Sequence, residues 1–151
     1  MRHASAVKSM MMALLACLVL LGCAAGMSSE QPMRSKDPQM VVGKTWQWVS
    51  TVTPVEKIKV TAPQRYTILL QEDGNVRARF DCNKGGGKVS LSEGRIFFGQ
   101  LMSTRMACPP DTQDALFMRD LQRVSSFFVE RGELFLELPI GSGTMRFRQA
   151  P

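Results

Sequence analysis

The 151-residue chain carries a formal charge of +6 from 19 basic and 13 acidic side chains, with no block of lysines or arginines. Basicity this mild and diluted argues against a nucleic-acid partner, which calls for a clustered patch; an ordinary solvated surface is the simpler reading, with loose attraction to anionic lipid or cell wall as the alternative. The one histidine is His3; if residue 3 is removed in processing, Ser–His and Cys–His nucleophile pairs and histidine metal ligands are removed with it.

At the N-terminus, Arg2 and Lys8 precede the apolar run MMMALLACLVLL at 10–21, too short to span a bilayer as a mature helix. A basic region followed by a short apolar region is the pattern of a secretory signal. The run ends in LLGC, with Leu20, Gly22 and Cys23 spaced as in a bacterial lipobox. It is similar to the signal of exported lipoproteins, which implies a signal peptide at 1–22 and a lipidated Cys23. A competing LLAC ends at Cys17, but about six apolar residues before that cysteine are too few for such a signal. An ordinary secreted protein or an uncleaved anchor is the competing interpretation. By similarity to Gram-negative lipoproteins, Ala24 in place of Asp implies transfer to the outer membrane, facing the periplasm. Residues 23–40 then form the lipidated cysteine and a polar tether with two prolines and no helix or strand period. Its r.m.s. reach is roughly 20–25 Å. About 129 residues remain after cleavage, with a charge of about +4 and one domain over 41–151.

The domain reads as strands. TWQWVSTV at 45–52 places Trp46 and Trp48 on one face. In RYTILLQ (65–71), Tyr66, Ile68 and Leu70 share a face. In NVRARFDC (75–82), Val76, Ala78, Phe80 and Cys82 face inward, with Asn75, Arg77, Arg79 and Asp81 on the wet side. A three-residue loop with Gly74 left-handed pairs Leu70 with Val76, Ile68 with Ala78 and Tyr66 with Phe80. A two-residue turn at Glu93–Gly94 pairs Leu91 with Ile96 and Val89 with Phe98. Another at Arg131–Gly132 pairs Val129 with Leu134 and Phe127 with Leu136. A four-residue loop from Ile140 to Gly143 pairs Leu138 with Met145 and Leu136 with Phe147. The fold class that follows is mainly β, a small antiparallel curled sheet or partly closed barrel. One helix interrupts it within TQDALFMRDLQRV, capped by Asp111, with Phe117, Leu121 and Val124 at i, i+4, i+7, packed on the sheet or plugging a barrel end.

DCNKGGGK at 81–88 resembles a phosphate loop but lacks its defining positions. Cys82 stands where the first glycine belongs, Val89 stands where Ser or Thr belongs, and a strand follows instead of a helix. The glycines are read as a bend between two strands. Cys82 and Cys108 are the two cysteines left after Cys17 and Cys23, and in an exported chain a disulfide between them is the first reading. A soft-metal site of Cys108, Met102 and Met106, or a pair of reactive thiols, is the alternative. Asp73, Asp81, Asp111 and Asp114 all have turn or capping roles open to them, so no catalytic pair is assigned. Arg77, Arg79, Arg146 and Arg148 would build a basic stripe if their strands were neighbours; solvated strand faces that discourage edge pairing are the simpler reading.

The spacing DCNKGGGKV … STRMACPP resembles the META domain, the HslJ-like family of bacterial envelope proteins. Cys82, Asn83, Gly87, Thr104, Ala107 and Cys108 carry the match, and Val89 stands in place of the usual aromatic. The resemblance covers 45–149 and implies a small β-rich domain with one helix. It brings no established catalytic residues, cofactor or metal, and it implies a role in envelope stress or integrity. The reading that follows is a non-enzymatic lipoprotein, held to the membrane by its N-terminal lipid and binding an unidentified envelope protein or cell-wall component. A periplasmic enzyme inhibitor of the lysozyme-inhibitor type is the alternative, although a charge near +4 would not steer it toward a basic lysozyme. A carboxylate-dependent hydrolase would need a converging pair of carboxylates in a deep pocket.

Overall fold

The computed structural model describes residues 33–151; the stretch read as a signal peptide (1–22), with Cys17, and Cys23 lie outside these residues. Alternating apolar and polar side chains make strands over most of this length, and short turns make successive strands antiparallel neighbours. In chain order the elements are β1 (Thr45–Val52), β2 (Lys57–Lys59), β3 (Tyr66–Leu70), β4 (Asn75–Phe80), β5 (Asn83–Ser92), β6 (Arg95–Phe98), β7 (Met102–Ser103), α1 (Asp114–Leu121), β8 (Ser126–Glu130), β9 (Glu133–Glu137) and β10 (Thr144–Gln149). The ring runs β1-β3-β4-β5-β6-β8-β9-β10, and β10 pairs back onto β1 from Trp46 opposite Gln149 to Val52 opposite Thr144. The curled or partly closed sheet expected from the sequence is thus a closed antiparallel barrel. Outside the ring, β2 pairs with the end of β1 and β7 with β5.

Three hairpin registers agree with the parity reading: Leu70 faces Val76, Leu91 faces Ile96, and Val129 faces Leu134. The fourth differs. Met145 faces Leu136 and Phe147 faces Leu134, because the loop is longer and closes with the Leu138 N–H donating to the Gly143 carbonyl at 2.9 Å. The slip is two residues, so the same side chains still point inward.

Trp46, Trp48, Ile68, Leu70, Leu134, Leu136, Met145 and Phe147 fill the interior, each at most 1 % exposed. From α1, Phe117 enters the barrel, stacks on Trp48 at 5.0 Å and meets Tyr66, Phe80 and Phe147 within 6.1 Å. Leu121 and Val124 are buried beside it, so the helix is the plug that its apolar spacing suggests. Its start differs from the expectation. Asp111 does not cap it; its carboxylate lies 3.8 Å from Arg65, and the Thr112 hydroxyl accepts the Asp114 N–H. The Gln113 N–H is already committed to the Tyr66 hydroxyl at 2.8 Å, and the helix begins just after this tie.

The ring has one thin seam, where β6 and β8 share only the pair Arg95–Ser126. The chain leading into the barrel closes it. Ser35 exchanges two backbone hydrogen bonds with Val129 (2.9 and 2.7 Å), and the Gly94 N–H donates to the Lys36 carbonyl at 3.1 Å. Arg34 lies over the Phe128 ring at 4.6 Å and pairs with Glu130 at 3.0 Å. Ordered pairing therefore reaches back to residue 34, inside the stretch read as tether.

Candidate functional site

The residues that carry the motif come together where β4 turns into β5. Phe80 pairs with Asn83, so Asp81 and Cys82 form a two-residue turn, and Asp81 takes the left-handed backbone with φ 62°. This turn ends the parity of β4. Asp81, expected on the wet face, is 1 % exposed, whereas Cys82, expected inward, is half-buried. A buried carboxylate needs compensation, and it is supplied from the turn leading into β3 and from the first residue of that strand. The Arg65 guanidinium donates through both Nε and Nη2, the latter at 2.5 Å, and the Tyr66 hydroxyl donates at 3.3 Å. Burial opposes the charge on Asp81, but hydrogen bonds from Arg65, Thr112 and Tyr66 outweigh it and hold the carboxyl below its ordinary range. The hydrogen bond to Asp81 likewise raises Arg65.

Next in the chain, the Asn83 amide clamps the segment that leads to Cys108. Its Oδ1 accepts from the Thr104 hydroxyl and the Met106 N–H, both at 2.8 Å. Its Nδ2 donates to the Met106 carbonyl and to Cys108 Sγ, both at 3.2 Å. Thr104 and Lys84 are tied reciprocally, the Lys84 N–H to the Thr104 hydroxyl at 3.2 Å and the Thr104 N–H to the Lys84 carbonyl at 3.0 Å. A disulfide joins Cys82 to Cys108 with Cα atoms 5.5 Å apart. Its closed loop limits the unfolded chain by about 3–4 kcal/mol in the chain-entropy picture.

The glycines lie inside β5 and do not bend between strands as expected. A Cβ on Gly85 would sit 1.9 Å from the Met102 carbonyl oxygen, and one on Gly86 would sit 2.1 Å from that of Val76. On Gly87 it would meet the Gln100 carbonyl oxygen at 2.5 Å. Glycine is required here because neighbouring backbones press against β5 from both sides. There is no nest of N–H groups with a helix behind it, so the phosphate-loop geometry is absent from this segment.

Cys82, Asn83, Thr104 and Cys108 thus form one cluster. Gly87 belongs to the strand packing, and Ala107 is exposed on the rim of an open cleft of about 440 Å³ between the clamp and α1, with Met106 and Met118. Cys108 is bonded to Cys82 and is not a free thiolate for Met102 and Met106 to join. Among the described residues no group of three His, Cys, Asp or Glu side chains is placed to hold a metal ion. The four arginines do not make a stripe, because β3 and β1 lie between β4 and β10. Arg146 instead pairs with Glu133 at 2.6 Å, and Arg148 donates to Gln47 at 3.1 Å.

Sequence reasoning missed the Arg65–Asp81–Tyr66–Gln113 chain. The signal was available: the register that pairs Tyr66 with Phe80 sets Arg65 opposite Asp81 when extended by one residue. No buried side-chain nitrogen or oxygen among the described residues lacks a hydrogen-bond partner. Donors and acceptors in this cluster are spent on one another, which is the arrangement of a lock.

A family model described as META domain matches residues 39–151. Among solved structures, the chain is similar to a protein from Burkholderia xenovorans determined by NMR, at 22 % identity and TM-score 0.62 over 74 % of this chain and 85 % of that one. It is also similar to a DUF4847 family protein from Bacteroides vulgatus, at 12 % identity and TM-score 0.55 over 73 % of this chain and 94 % of that one. A third structure, also from NMR, matches at 20 % identity and TM-score 0.57 over 74 % and 93 % of the two chains. These likenesses concern the fold. Comparison with curated proteins returns no match. With the family model spanning the barrel and its Asn83 lock, the chain belongs to the META domain family.

Proposed function

We propose that this protein is a non-enzymatic lipoprotein of the bacterial outer membrane, tethered through Cys23, whose META barrel binds or steadies another envelope component and so supports tolerance of envelope stress. The observation that carries the reading is the signal ending in LLGC ahead of a polar, proline-bearing linker. The character of the motif cluster supports the non-enzymatic part. Asp81 is neutralised by Arg65, and the two cysteines are joined to each other. The Asn83 amide has all its hydrogen-bonding capacity directed at the 104–108 segment. A general acid or base needs a group free to exchange a proton near neutral pH, and no member of the cluster is such a group.

A surface for a partner is available elsewhere. Val55 and Ile140, at least 90 % exposed, sit in the β1–β2 and β9–β10 loops. Ile140 lines an open cleft of about 430 Å³ with Val52, Pro54 and Glu137, and Val55 follows Pro54 in the chain. Large apolar side chains at loop tips are typical of contact residues when grouped. Cross-linking of the anchored protein in intact cells, with Val55 and Ile140 as photo-crosslinker positions, tests the reading. One reproducible envelope partner is the expected result; no partner at either position would count against it.

A further inference from the structure

The outer wall formed by β4 and β5 carries an uncompensated cationic face. Arg77 and Arg79 on β4 and Lys84 and Lys88 on β5 are all exposed. The register sets Arg79 directly opposite Lys84, with Lys88 opposite Asn75 and side-chain-free Gly86 opposite Arg77. Like charges facing each other across a ladder destabilise it, yet none of these four side chains takes part in a salt bridge among the described residues. Arg79 is steadied by a neutral group, donating from Nε to the Asp81 carbonyl at 2.8 Å. Asp73, in the turn before β4, is the carboxylate that feels Lys88, but its oxygens are engaged by Asn75.

Two ordinary explanations for such charges fail at this place. Charges that guard a sheet edge belong on edge strands. Lys57 and Lys59 on β2 fit that role, but β4 and β5 are both interior to the ring. A balanced, solvated surface would interleave acidic side chains, as β9 and β10 do with Arg146 against Glu133; the β4–β5 wall does not. Its cations are bordered by two large apolar side chains, Met102 (71 % exposed) opposite Gly86 and Phe97 (62 % exposed) opposite Ser90. Lys36 and Arg95 continue the positive charge toward the seam where the N-terminal arm joins the barrel, next to β6.

We propose that the β4–β5 wall of the barrel docks flat on an anionic phospholipid surface, with Arg77, Arg79, Lys84 and Lys88 against headgroup phosphates and Phe97 and Met102 entering the interface. The occupant is a membrane because the cations are spread over the convex outside of a barrel. That shape meets many phosphates in a plane better than it encloses one small anion, and bordering apolar side chains add interfacial affinity. The envelope reading supplies the biological setting, but the docking itself needs no lipid on Cys23, so the two stand or fall separately.

The test uses residues 24–151, which include the whole barrel core from Val41 to Phe147 and cannot be lipidated. Co-sedimentation is measured with phosphatidylglycerol-containing vesicles and with pure phosphatidylcholine vesicles at low ionic strength. Two variants each remove four positive charges: Arg77→Gln/Arg79→Gln/Lys84→Gln/Lys88→Gln on the wall, and Lys57→Gln/Lys59→Gln/Arg123→Gln/Arg131→Gln elsewhere. The expected result is salt-sensitive binding to the anionic vesicles alone, weakened about tenfold or more in the wall variant and retained in the other. Near-ultraviolet circular dichroism verifies that both variants keep the native core. Equal loss in both variants would reduce the effect to net charge and overturn the proposal. So would absent binding, equal binding to neutral vesicles, or release by inorganic phosphate but not by chloride of the same ionic strength.

Discussion

Asn83→Ala tests whether the motif cluster is a lock. The side chain is 5 % exposed and makes four hydrogen bonds: to the Thr104 hydroxyl, to the N–H and the carbonyl of Met106, and to Cys108 Sγ. The contact to sulfur is weak, so three bonds dominate. At about 1 kcal/mol net for each, with partial replacement by water at the half-open 104–108 segment, the loss is about 2–3 kcal/mol. That is a large part of the roughly 5–15 kcal/mol that holds a domain folded, and it corresponds to a midpoint lower by about 10 °C. Urea unfolding followed by fluorescence of Trp46 and Trp48, both buried in the barrel, with the disulfide intact, measures it. Asn83→Asp should lose a similar amount at neutral pH, because it keeps the two bonds accepted from Thr104 and Met106 but replaces the donor Nδ2 with a carboxylate oxygen set against the Met106 carbonyl. A loss below about 0.5 kcal/mol for Asn83→Ala would refute the lock, since surface side chains give values of that size.

Phe117→Ala removes the ring that Trp48, Tyr66, Phe80 and Phe147 surround and should cost about 3–5 kcal/mol, with a collapse of the near-ultraviolet circular dichroism signal. A loss under 1.5 kcal/mol, about what a conservative core swap costs, would mean the helix is not a true plug. Acid titration should expose Asp81. Its folded pKa is depressed, so its contribution is present above the unfolded value near 3.8 and is lost as pH falls through the lower folded value. Asp81→Asn should be less stable than the native chain at neutral pH and flatter in stability below about pH 4, where an unchanged slope would contradict the ion pair. Gly86→Ala should destabilise severely, because its Cβ would lie 2.1 Å from a backbone carbonyl oxygen. Gly132→Ala has open space and a φ of 78° and should cost only about 1–2 kcal/mol in thermal or urea unfolding.

Much of the barrel was legible because parity is a local property. Each hairpin carries its own register test, and three separate turns gave inward faces that agree with the ladders. A curled or partly closed sheet was legible, but the strand pair that completes the ring was not, since the β10–β1 ladder joins residues about a hundred positions apart and leaves no local pattern. The role of the glycines was hidden for a related reason. A bend and a tight approach both call for glycine, and only the carbonyls of Val76, Gln100 and Met102 in space distinguish them. Asp81 was misplaced because its left-handed backbone breaks the alternation at the point where β4 ends. The basic wall escaped notice because Arg77 and Arg79 were grouped with Arg146 and Arg148 by alternation, whereas the fold sets them beside Lys84 and Lys88.

The mass of the protein purified from membranes tests whether Cys23 is the lipid anchor. A mature chain that begins at Cys23 and carries the lipid increment on that residue is the expected result, with Cys23→Ser leaving the chain uncleaved and unlipidated. An unmodified Cys23, or a mature N-terminus at another residue in a chain recovered free of membranes, would contradict it.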